Sequence, residues 1–156
     1  MSIDPSSPTP DARRLTPSSK PARALITGGA GFIGSHLADA LLAQGHRVVV
    51  VDNLATGRYE NIAHLDGRPD FQYVFESATN ETVMDRLVSE SDIVYHLAAA
   101  VGVELIVRDP VWTIETNLQA TEVALRLARR YRRKLVLAST SEVYGKSAVI
   151  PYREDD

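Results

Sequence analysis

The chain of 156 residues is 44% hydrophobic and 24% charged, which is enough for one globular domain with a hydrophobic core. Its net charge of −3 gives no electrostatic reason to expect a nucleic acid or an anionic membrane as a partner. It contains no cysteine, which excludes disulfides and cysteine-ligated metal sites and agrees with a cytoplasmic location.

Residues 1–22 hold five of the eight prolines, among serines and threonines, and few side chains that a core could bury. Burial cannot offset the entropy of ordering such a segment, so we predict a disordered tail. Neither this segment nor the rest of the sequence has an apolar run near the roughly 20 residues that span a bilayer. We therefore expect a single domain over residues 23–156.

From Arg23 onward, short apolar runs alternate with helical patterns. The run RVVVV at 47–51 is apolar on both faces, which is typical of a buried parallel strand. Gly45 marks the end of the first helix, and Pro110 suits the first turn of the last helix. In chain order we predict a strand at 23–27, a helix at 32–44, strands at 47–51 and 71–75, a helix at 80–89, a strand at 92–97, a helix at 110–130 and a strand at 134–138.

Strands that alternate with helices predict an α/β fold, a doubly wound parallel sheet of order 3-2-1-4-5 with helices on both faces. Apolar residues at helical spacing predict which side chains each helix buries. They are Ile33, Leu37, Ala40 and Leu41 in the first helix, Val83, Met84, Leu87 and Val88 in the second, and Ile114, Leu118, Val123, Leu125 and Leu127 in the last.

Glycines separate the first strand from the first helix, in the pattern Gly28-x-x-Gly31-x-x-Gly34. Gly28 allows a tight turn out of the strand, Gly31 lets backbone N–H groups approach a pyrophosphate, and Gly34 allows close packing of the helix. A glycine triplet also occurs in flexible turns, but here a strand and a helix flank it as the Rossmann dinucleotide-binding mechanism requires. No Gly-Lys-Ser/Thr follows, which excludes a P-loop.

An acidic residue at the end of the second strand is the partner that this mechanism needs. Asp52 follows the VVVV run at about the expected 20 residues past the glycines. Its carboxylate would accept hydrogen bonds from the adenosine ribose hydroxyls and repel a 2′-phosphate, which favours NAD over NADP. Arg58 lies nearby and could instead receive that phosphate. A turn or helix-cap role for Asp52 is the alternative.

With TGGAGFIGSHL, VDNLATG, YHLAAAVGV, TIETNLQATEVAL and ASTSEVYG in order over about residues 23–156, the sequence resembles the extended short-chain dehydrogenase/reductase (NAD-dependent epimerase/dehydratase) family. It is most similar to the UDP-glucuronate decarboxylases and 4-epimerases. The resemblance, together with the glycine pattern, implies cofactor-binding roles for Gly28, Gly31, Phe32, Ile33, Gly34, Asp52, Asn53, Leu54, Gly57, Ser77, Ala78, Leu97, Ala98, Ala99, Asn117 and Ser139.

The resemblance also implies chemistry on a nucleotide sugar. NAD would oxidise the C4 hydroxyl of a UDP-sugar such as UDP-glucuronate or UDP-glucose, giving a 4-keto intermediate. Thr140, four residues before Tyr144 of the VYG signature, would hydrogen-bond the reacting oxygen, and Glu142 would be an auxiliary acid or base. The alternatives are a strand-end threonine and a solvated loop charge. Epimerase, decarboxylase and dehydratase remain open, and no metal is expected. The resemblance also implies a homodimer of the full-length protein, in which two helices of each subunit form the interface and the helix that begins at Pro110 would be one of them.

Other polar residues favour structural interpretations. His96, on a predicted buried strand, is expected to be a neutral, hydrogen-bonded core histidine, and His36 likewise, because no second ligand stands at metal spacing. Tyr144 is expected to be structural or to line a pocket. The basic cluster at the end of the last helix, which comprises Arg126, Arg129, Arg130, Arg132 and Arg133, is expected to be a solvated helix end rather than a nucleic-acid site.

The family's catalytic Tyr-x-x-x-Lys is absent from the residues that follow Tyr144. We therefore expect this chain to be the N-terminal, NAD-binding part of a longer enzyme and to lack turnover alone, with its fifth strand left as an unpaired apolar edge. Two alternatives are a non-catalytic NAD-binding module and an inactive fragment.

Overall fold

The computed structural model describes residues 20–145 and Tyr152, without the side chains of 103–105, 141 and 142. The tail expected at 1–22 lies almost entirely outside the described residues. Strands are β1 (Arg23–Thr27), β2 (Arg47–Asp52), β3 (Phe71–Phe75), β4 (Ile93–His96) and β5 (Lys134–Leu137), and helices are α1 (Phe32–Ala43), α2 (Glu81–Ser89), α3 (Val103–Arg108) and α4 (Pro110–Tyr131). Short 3₁₀ turns lie at Tyr59–Asn61, Ala63–Leu65 and Ser141–Tyr144.

The five strands form one parallel sheet of order β3-β2-β1-β4-β5, which confirms the predicted fold and strand order. In register, Leu25 of β1 lies between Val49 of β2 and Val94 of β4. The chain moves outward in one direction through β2 and β3 and in the other through β4 and β5. The sheet therefore has its topological switch point between β1 and β4, where α/β proteins bind ligands at the carboxyl ends of the strands.

Two hydrophobic layers cover the sheet. On one face, Ala38, Leu41 and Leu42 of α1 pack with the strand residues Ile26 and Val50. On the other face, α2 and α4 cover alternate strand residues, among them Leu25, Val49, Val51 and Val94. Alternating side chains of a central strand enter opposite layers, so β2 is apolar at every interior position.

The predicted buried face of α4 is wrong in part. Val123 and Leu127 are buried, but Ile114, Leu118 and Leu125 are 59%, 66% and 50% exposed. The side that α4 presents to the sheet and α2 also carries Ala120, Ala124 and Ala128. Small side chains let the helix approach closely, and Ile114, Leu118 and Leu125 lie on another face of the helix.

The first helix departs from prediction in a similar way. Leu41 is buried as expected, but Ile33 and Ala40 are exposed, and α1 packs through Gly34, Ser35, Ala38, Leu41 and Leu42. His36 is also exposed and bonds the Phe32 carbonyl through its ring Nδ1 at 2.8 Å, so its expected core position is wrong.

Capping side chains set the starts of two helices. Asn80 lies outside α2 and accepts the Val83 N–H, and Asp109 accepts the Trp112 N–H ahead of Pro110. At the other end of α1, Gly45 has φ +80°, as a C′ residue requires. The short helix α3 was not predicted.

The basic end of α4 is partly engaged by α2 rather than only solvated. Arg126 pairs with Glu81, Arg130 lies 3.0 Å from Asp85, and Arg133 donates to the Ser89 carbonyl at 2.7 Å. The two exposed ion pairs contribute little stability each, but together with the Arg133 hydrogen bond they orient α2 against α4. Among the described residues β5 pairs only with β4, and its Val136 and Leu137 are exposed, as expected for an unpaired edge.

His96 links three elements inside the domain. It is 2% exposed; its Nδ1 is 2.8 Å from the Thr27 hydroxyl of β1, and its Nε2 is 3.4 Å from the Thr121 hydroxyl of α4. Burial lowers the pKa of His96 below its ordinary value of 6.5, since the charged ring would lose its hydration. The expected core histidine is confirmed.

We predict that acid weakens this fold through His96. Because its folded-state pKa is depressed, the unfolded chain binds more protons below pH 6.5, and stability falls as the pH drops from 6.5 towards the folded-state value. The slope for one proton is at most about 1.4 kcal/mol per pH unit. Urea unfolding of wild type and His96→Gln between pH 7.5 and 5.5 measures it.

The variant is expected to lose less stability over that range than wild type. His36→Gln, which removes an exposed imidazole, is the matched control and keeps the wild-type slope. Equal slopes for wild type and His96→Gln would contradict a neutral buried imidazole.

Candidate cofactor site

A groove of about 600 Å³ lies at the carboxyl ends of the strands, above the switch point between β1 and β4. One wall is the turn from β1 into α1, the other is α4, and the segment after β4 forms the floor. The described residues that line it are Gly28, Gly31, Phe32, Ile33, Gly34, Val51, Asp52, Asn53, Ala55, Thr56, Gly57, Ser77, Ala78, Thr79, Leu97, Ala98, Ala99, Ala100, Val101, Arg108, Trp112, Thr116, Asn117, Ala120 and Ala138.

The glycine turn is closed too tightly for side chains at two positions. A Cβ on Gly28, whose φ is +70°, would lie 2.9 Å from the backbone of Ala98. A Cβ on Gly34 would lie 2.3 Å from the Gly28 carbonyl oxygen and 2.6 Å from the Gly29 Cα. Gly34 therefore lets α1 start directly against the turn itself.

Gly31 has a different environment. It is the N-cap of α1, and a Cβ there would meet only the Gly28 carbonyl, at 3.2 Å. No side chain caps the helix at this position, and the first N–H groups of any α-helix lack acceptors within the helix. These donors and the positive end of the helix dipole face the groove, as binding of a pyrophosphate requires.

Asp52 ties β2 to the glycine turn. The residue is 8% exposed; its Oδ2 accepts the Ala30 N–H at 2.9 Å, and its Oδ1 accepts the Leu54 N–H at 2.8 Å. Gly57 lies against the same carboxylate, since a Cβ there would be 2.9 Å from both oxygens. Each oxygen keeps a further lone pair for a ribose hydroxyl. Of the two alternatives for Asp52, the turn role is met, since its carboxylate accepts the N–H two residues on, and the helix-cap role is not.

Asn117 of α4 fixes the floor of the groove. Its Oδ1 accepts the Ala100 N–H at 2.6 Å, and its Nδ2 donates to the Ala100 carbonyl at 3.1 Å. Both backbone groups of one loop residue are therefore held by a single amide. At the end of β1, the Thr27 hydroxyl accepts the Ala98 N–H at 3.1 Å. The segment 97–100 is therefore anchored at two points, by Thr27 and by Asn117.

The structure brings together in this groove all the residues proposed to bind the cofactor except Leu54 and Ser139. Leu54, with φ +58°, gives its N–H to Asp52 while its side chain packs against the core. Ser139 is exposed and follows Ala138, which lines the groove.

Sequence reasoning missed a row of residues on the groove side of the last two helices. Arg108, Trp112, Thr116 and Ala120 follow one another at intervals of four residues and all line the groove. Trp112, Thr116 and Ala120 are spaced by four residues along α4, and this spacing of one helical turn was the signal that could have grouped Trp112 and Thr116 on one side of the helix.

The two proposed catalytic residues lie just past β5. Thr140 is exposed, and its carbonyl accepts the Val143 N–H at 3.2 Å as the 3₁₀ turn Ser141–Tyr144 begins. Glu142 belongs to that turn, and its side chain lies outside the described part of the structure. The Tyr144 ring stacks on that of Tyr152 with centroids 5.2 Å apart.

In the described part of the chain, no cluster of His, Asp and Glu is arranged to hold a metal ion, and no helix is long and apolar enough to cross a membrane.

Comparison with known proteins identifies the family. Residues 25–156 match the family model described as GDP-mannose 4,6 dehydratase. The chain is 46% identical over 133 residues to UDP-glucuronic acid decarboxylase 1 of Danio rerio, covering 85% of this chain and 31% of that protein. It is 43% identical over 134 residues to UDP-N-acetyl-alpha-D-glucosaminuronate decarboxylase of Bacillus cytotoxicus, covering 86% and 41%.

Solved structures agree. A UDP-glucose-4-epimerase from Stenotrophomonas maltophila with bound NAD and formylated UDP-arabinopyranose superposes with a TM-score of 0.76 at 30% identity, covering 85% of this chain and 41% of that one. A dTDP-glucose 4,6-dehydratase from Streptomyces venezuelae with NAD bound gives 0.75 at 33%, covering 81% and 42%. The chain belongs to the GDP-mannose 4,6 dehydratase family, within the extended short-chain dehydrogenases/reductases, and spans about a third of the length of the curated relatives it matches.

We predict that Gly34→Ala and Gly31→Ala separate folding from binding. Gly34→Ala forces a methyl group into backbone atoms and should lower the free energy of unfolding by about 3 kcal/mol or more. Gly31→Ala meets one carbonyl at 3.2 Å and should cost about 1 kcal/mol or less, while its methyl group blocks the approach of a phosphate. Urea unfolding compares the two variants, and equal losses of stability would contradict this distinction.

We also predict that Asn117 acts through the floor of the groove. Asn117→Ala leaves both Ala100 backbone groups without their partner and should cost about 1–3 kcal/mol of stability. Asn117→Asp keeps an acceptor for the N–H but places a carboxylate oxygen against the Ala100 carbonyl. Hydrogen exchange should show faster exchange of the Ala100 amide in Asn117→Ala than in Asn117→Asp. The opposite order would exclude the clamp.

Proposed function

We propose, from the chain's membership of this family, that it is the NAD-binding portion of a nucleotide-sugar enzyme. The observation that carries the proposal is a groove with the N–H donors of α1 on one wall and Asp52 at the end of β2. Asp52 is mostly buried, but it lines the groove. NAD, when bound, supplies a hydride acceptor for the C4 hydroxyl of the sugar. The residues present fit it, since the glycine turn leaves room for backbone contact with a pyrophosphate.

Each part of the groove has a proposed role. Asp52 accepts the ribose hydroxyls of the adenosine, and Asn53 and Gly57 shape the loop beside it. Ser77 and Ala78 flank the adenine, while Leu97, Ala98 and Ala99 line the path to the nicotinamide. Ser139 lies near that end, one residue past Ala138. Asn117 positions the floor through Ala100.

The reaction is a proposal for the whole protein. The relatives are UDP-glucuronic acid and UDP-N-acetylglucosaminuronate decarboxylases, and the structural neighbours are UDP-glucose epimerases and a dTDP-glucose dehydratase. We propose that the substrate is a UDP-sugar, either UDP-glucuronate or UDP-glucose, and that the reaction passes through a 4-keto intermediate. The enzyme would then be a lyase or an isomerase. Thr140 would hydrogen-bond the reacting oxygen and Glu142 would exchange protons. The 156 residues themselves are proposed to bind NAD without turnover.

A homodimer of the whole protein, in the cytoplasm, completes the proposal. Val111, Ile114, Leu118 and Leu125 are exposed on α4, on a face that neither the sheet nor α2 covers. Such a stripe of apolar side chains on a helix fits burial against a second copy. The net charge of −3 gives neither a nucleic acid nor an anionic membrane a role.

Titration calorimetry of the chain with NAD and NADP tests the proposal. We expect NAD to bind about tenfold or more tightly than NADP, because the Asp52 carboxylate repels a 2′-phosphate. Asp52→Asn removes that charge and should bring the two dissociation constants closer together. Arg58→Gln is the companion variant: Arg58 does not line the groove in the described residues, so it should leave NAD binding unchanged.

The outcomes separate the alternatives. A folded chain that binds neither nucleotide contradicts the proposal and favours an inactive fragment. Preference for NADP would exclude the assigned role of Asp52. NAD binding together with turnover of UDP-glucuronate by the chain alone would contradict the restriction to cofactor binding.

A further inference from the structure

Arg108 stands out in the groove by its charge. Among the described residues that line the groove, it is the only one with a cationic side chain, and Asp52 is the only one with an anionic side chain. The roles proposed above use Asp52 and leave Arg108 without one. A guanidinium at the rim of a cofactor groove provides donors suited to phosphate oxygens.

The two walls of the groove come from opposite faces of the sheet. The glycine turn leads into α1, which packs with Ile26 and Val50 on one face. Arg108 ends α3, one residue before the N-cap of α4, and α4 packs through Val123 and Leu127 on the other face. A ligand that crosses the carboxyl edge of β1 and β4 therefore has the N–H donors of α1 on one side and Arg108 on the other.

The position of Arg108 is fixed by the start of α4. The Asp109 side chain accepts the Trp112 N–H at 3.1 Å, and its carbonyl accepts the Thr113 N–H at 3.1 Å and the Thr113 hydroxyl at 2.8 Å. Thr113 is buried, so this first turn is anchored in the domain. Trp112 and Thr116 follow Arg108 at intervals of four residues and also line the groove.

Charge balance points to what Arg108 contacts. A dinucleotide pyrophosphate carries two negative charges, while the N-terminus of α1 offers the equivalent of only about half a positive charge. No other cation lies among the described residues of the groove to complete the balance. We infer that Arg108 binds the pyrophosphate of the bound dinucleotide from the α4 wall, opposite the glycine turn.

This inference rests on the proposed NAD-binding function and adds a residue to it. The side chain is exposed, so the contact is screened by solvent and its effect is moderate. It makes the dissociation constant of NAD depend on a residue at the junction of α3 and α4.

Titration calorimetry of the full chain with NAD, ADP-ribose, adenosine and UDP-glucose tests it. Arg108→Gln should raise the dissociation constants of NAD and ADP-ribose by the same factor, about three- to tenfold, and leave that of adenosine unchanged. Arg108→Lys should recover part of the loss, because it restores the charge without the planar fork of donors. Arg129→Gln, which removes an exposed charge at the far end of α4, is the matched control and should bind as wild type.

Each other result overturns the inference in a recognisable way. Unchanged NAD binding in Arg108→Gln, with wild type binding normally, excludes the contact and leaves the proposed function intact. An equal loss for adenosine shows a structural effect. A loss of UDP-glucose binding alone assigns Arg108 to the pyrophosphate of a nucleotide sugar instead. No binding of NAD or ADP-ribose by folded wild type defeats the proposed function itself.

Discussion

Close backbone approach in the turn between β1 and α1 is the constraint on which the groove depends. The Gly34 Cα lies so near the Gly28 carbonyl that a methyl group would come within 2.3 Å of that oxygen. Gly28 in turn lies against Ala98, at the end of β4. The turn is thus pressed between its own helix and the neighbouring strand, and this is what brings the first N–H groups of α1 over the carboxyl edge of the sheet.

Polar contacts then hold the rest of the groove in relation to that turn. Asp52 receives one N–H from Ala30 in the turn and one from Leu54 in the following loop, so a single carboxylate fixes two segments before any ligand arrives. Asn117 does the same for the floor at Ala100. Asp52 and Asn117 each have two roles, because each holds the protein backbone by hydrogen bonds and also lines the groove where a ligand would lie. Their removal therefore affects stability and binding together, whereas Gly31 and Arg108 face the groove with fewer structural duties.

Three sides of α4 have different surroundings. Ala120, Ala124 and Ala128 allow it to lie close to the sheet and α2, Trp112 and Thr116 face the groove, and Ile114, Leu118 and Leu125 remain exposed. A helix that packs on one side, lines the groove on another and exposes apolar side chains on a third has no single polar face. Its exposed apolar stripe and the open edge of β5 are two surfaces of the described domain where apolar side chains are exposed.

The order and type of the main elements, the sheet order, the glycine turn and the position of Asp52 could all be predicted from the amino-acid sequence. They follow from local patterns, such as the β-branched run at 47–51, and from glycines that only one kind of turn requires. The buried faces of α1 and α4, the exposure of His36, and the places of Arg108 and Trp112 in the groove depend on long-range packing and became visible only in the folded domain. The physical reason is that apolar periodicity shows that a helix has a face to bury but not against what, whereas small residues such as Ala120 decide the close contact. The partner of a side chain is set by elements distant in sequence, and no local pattern carries that information.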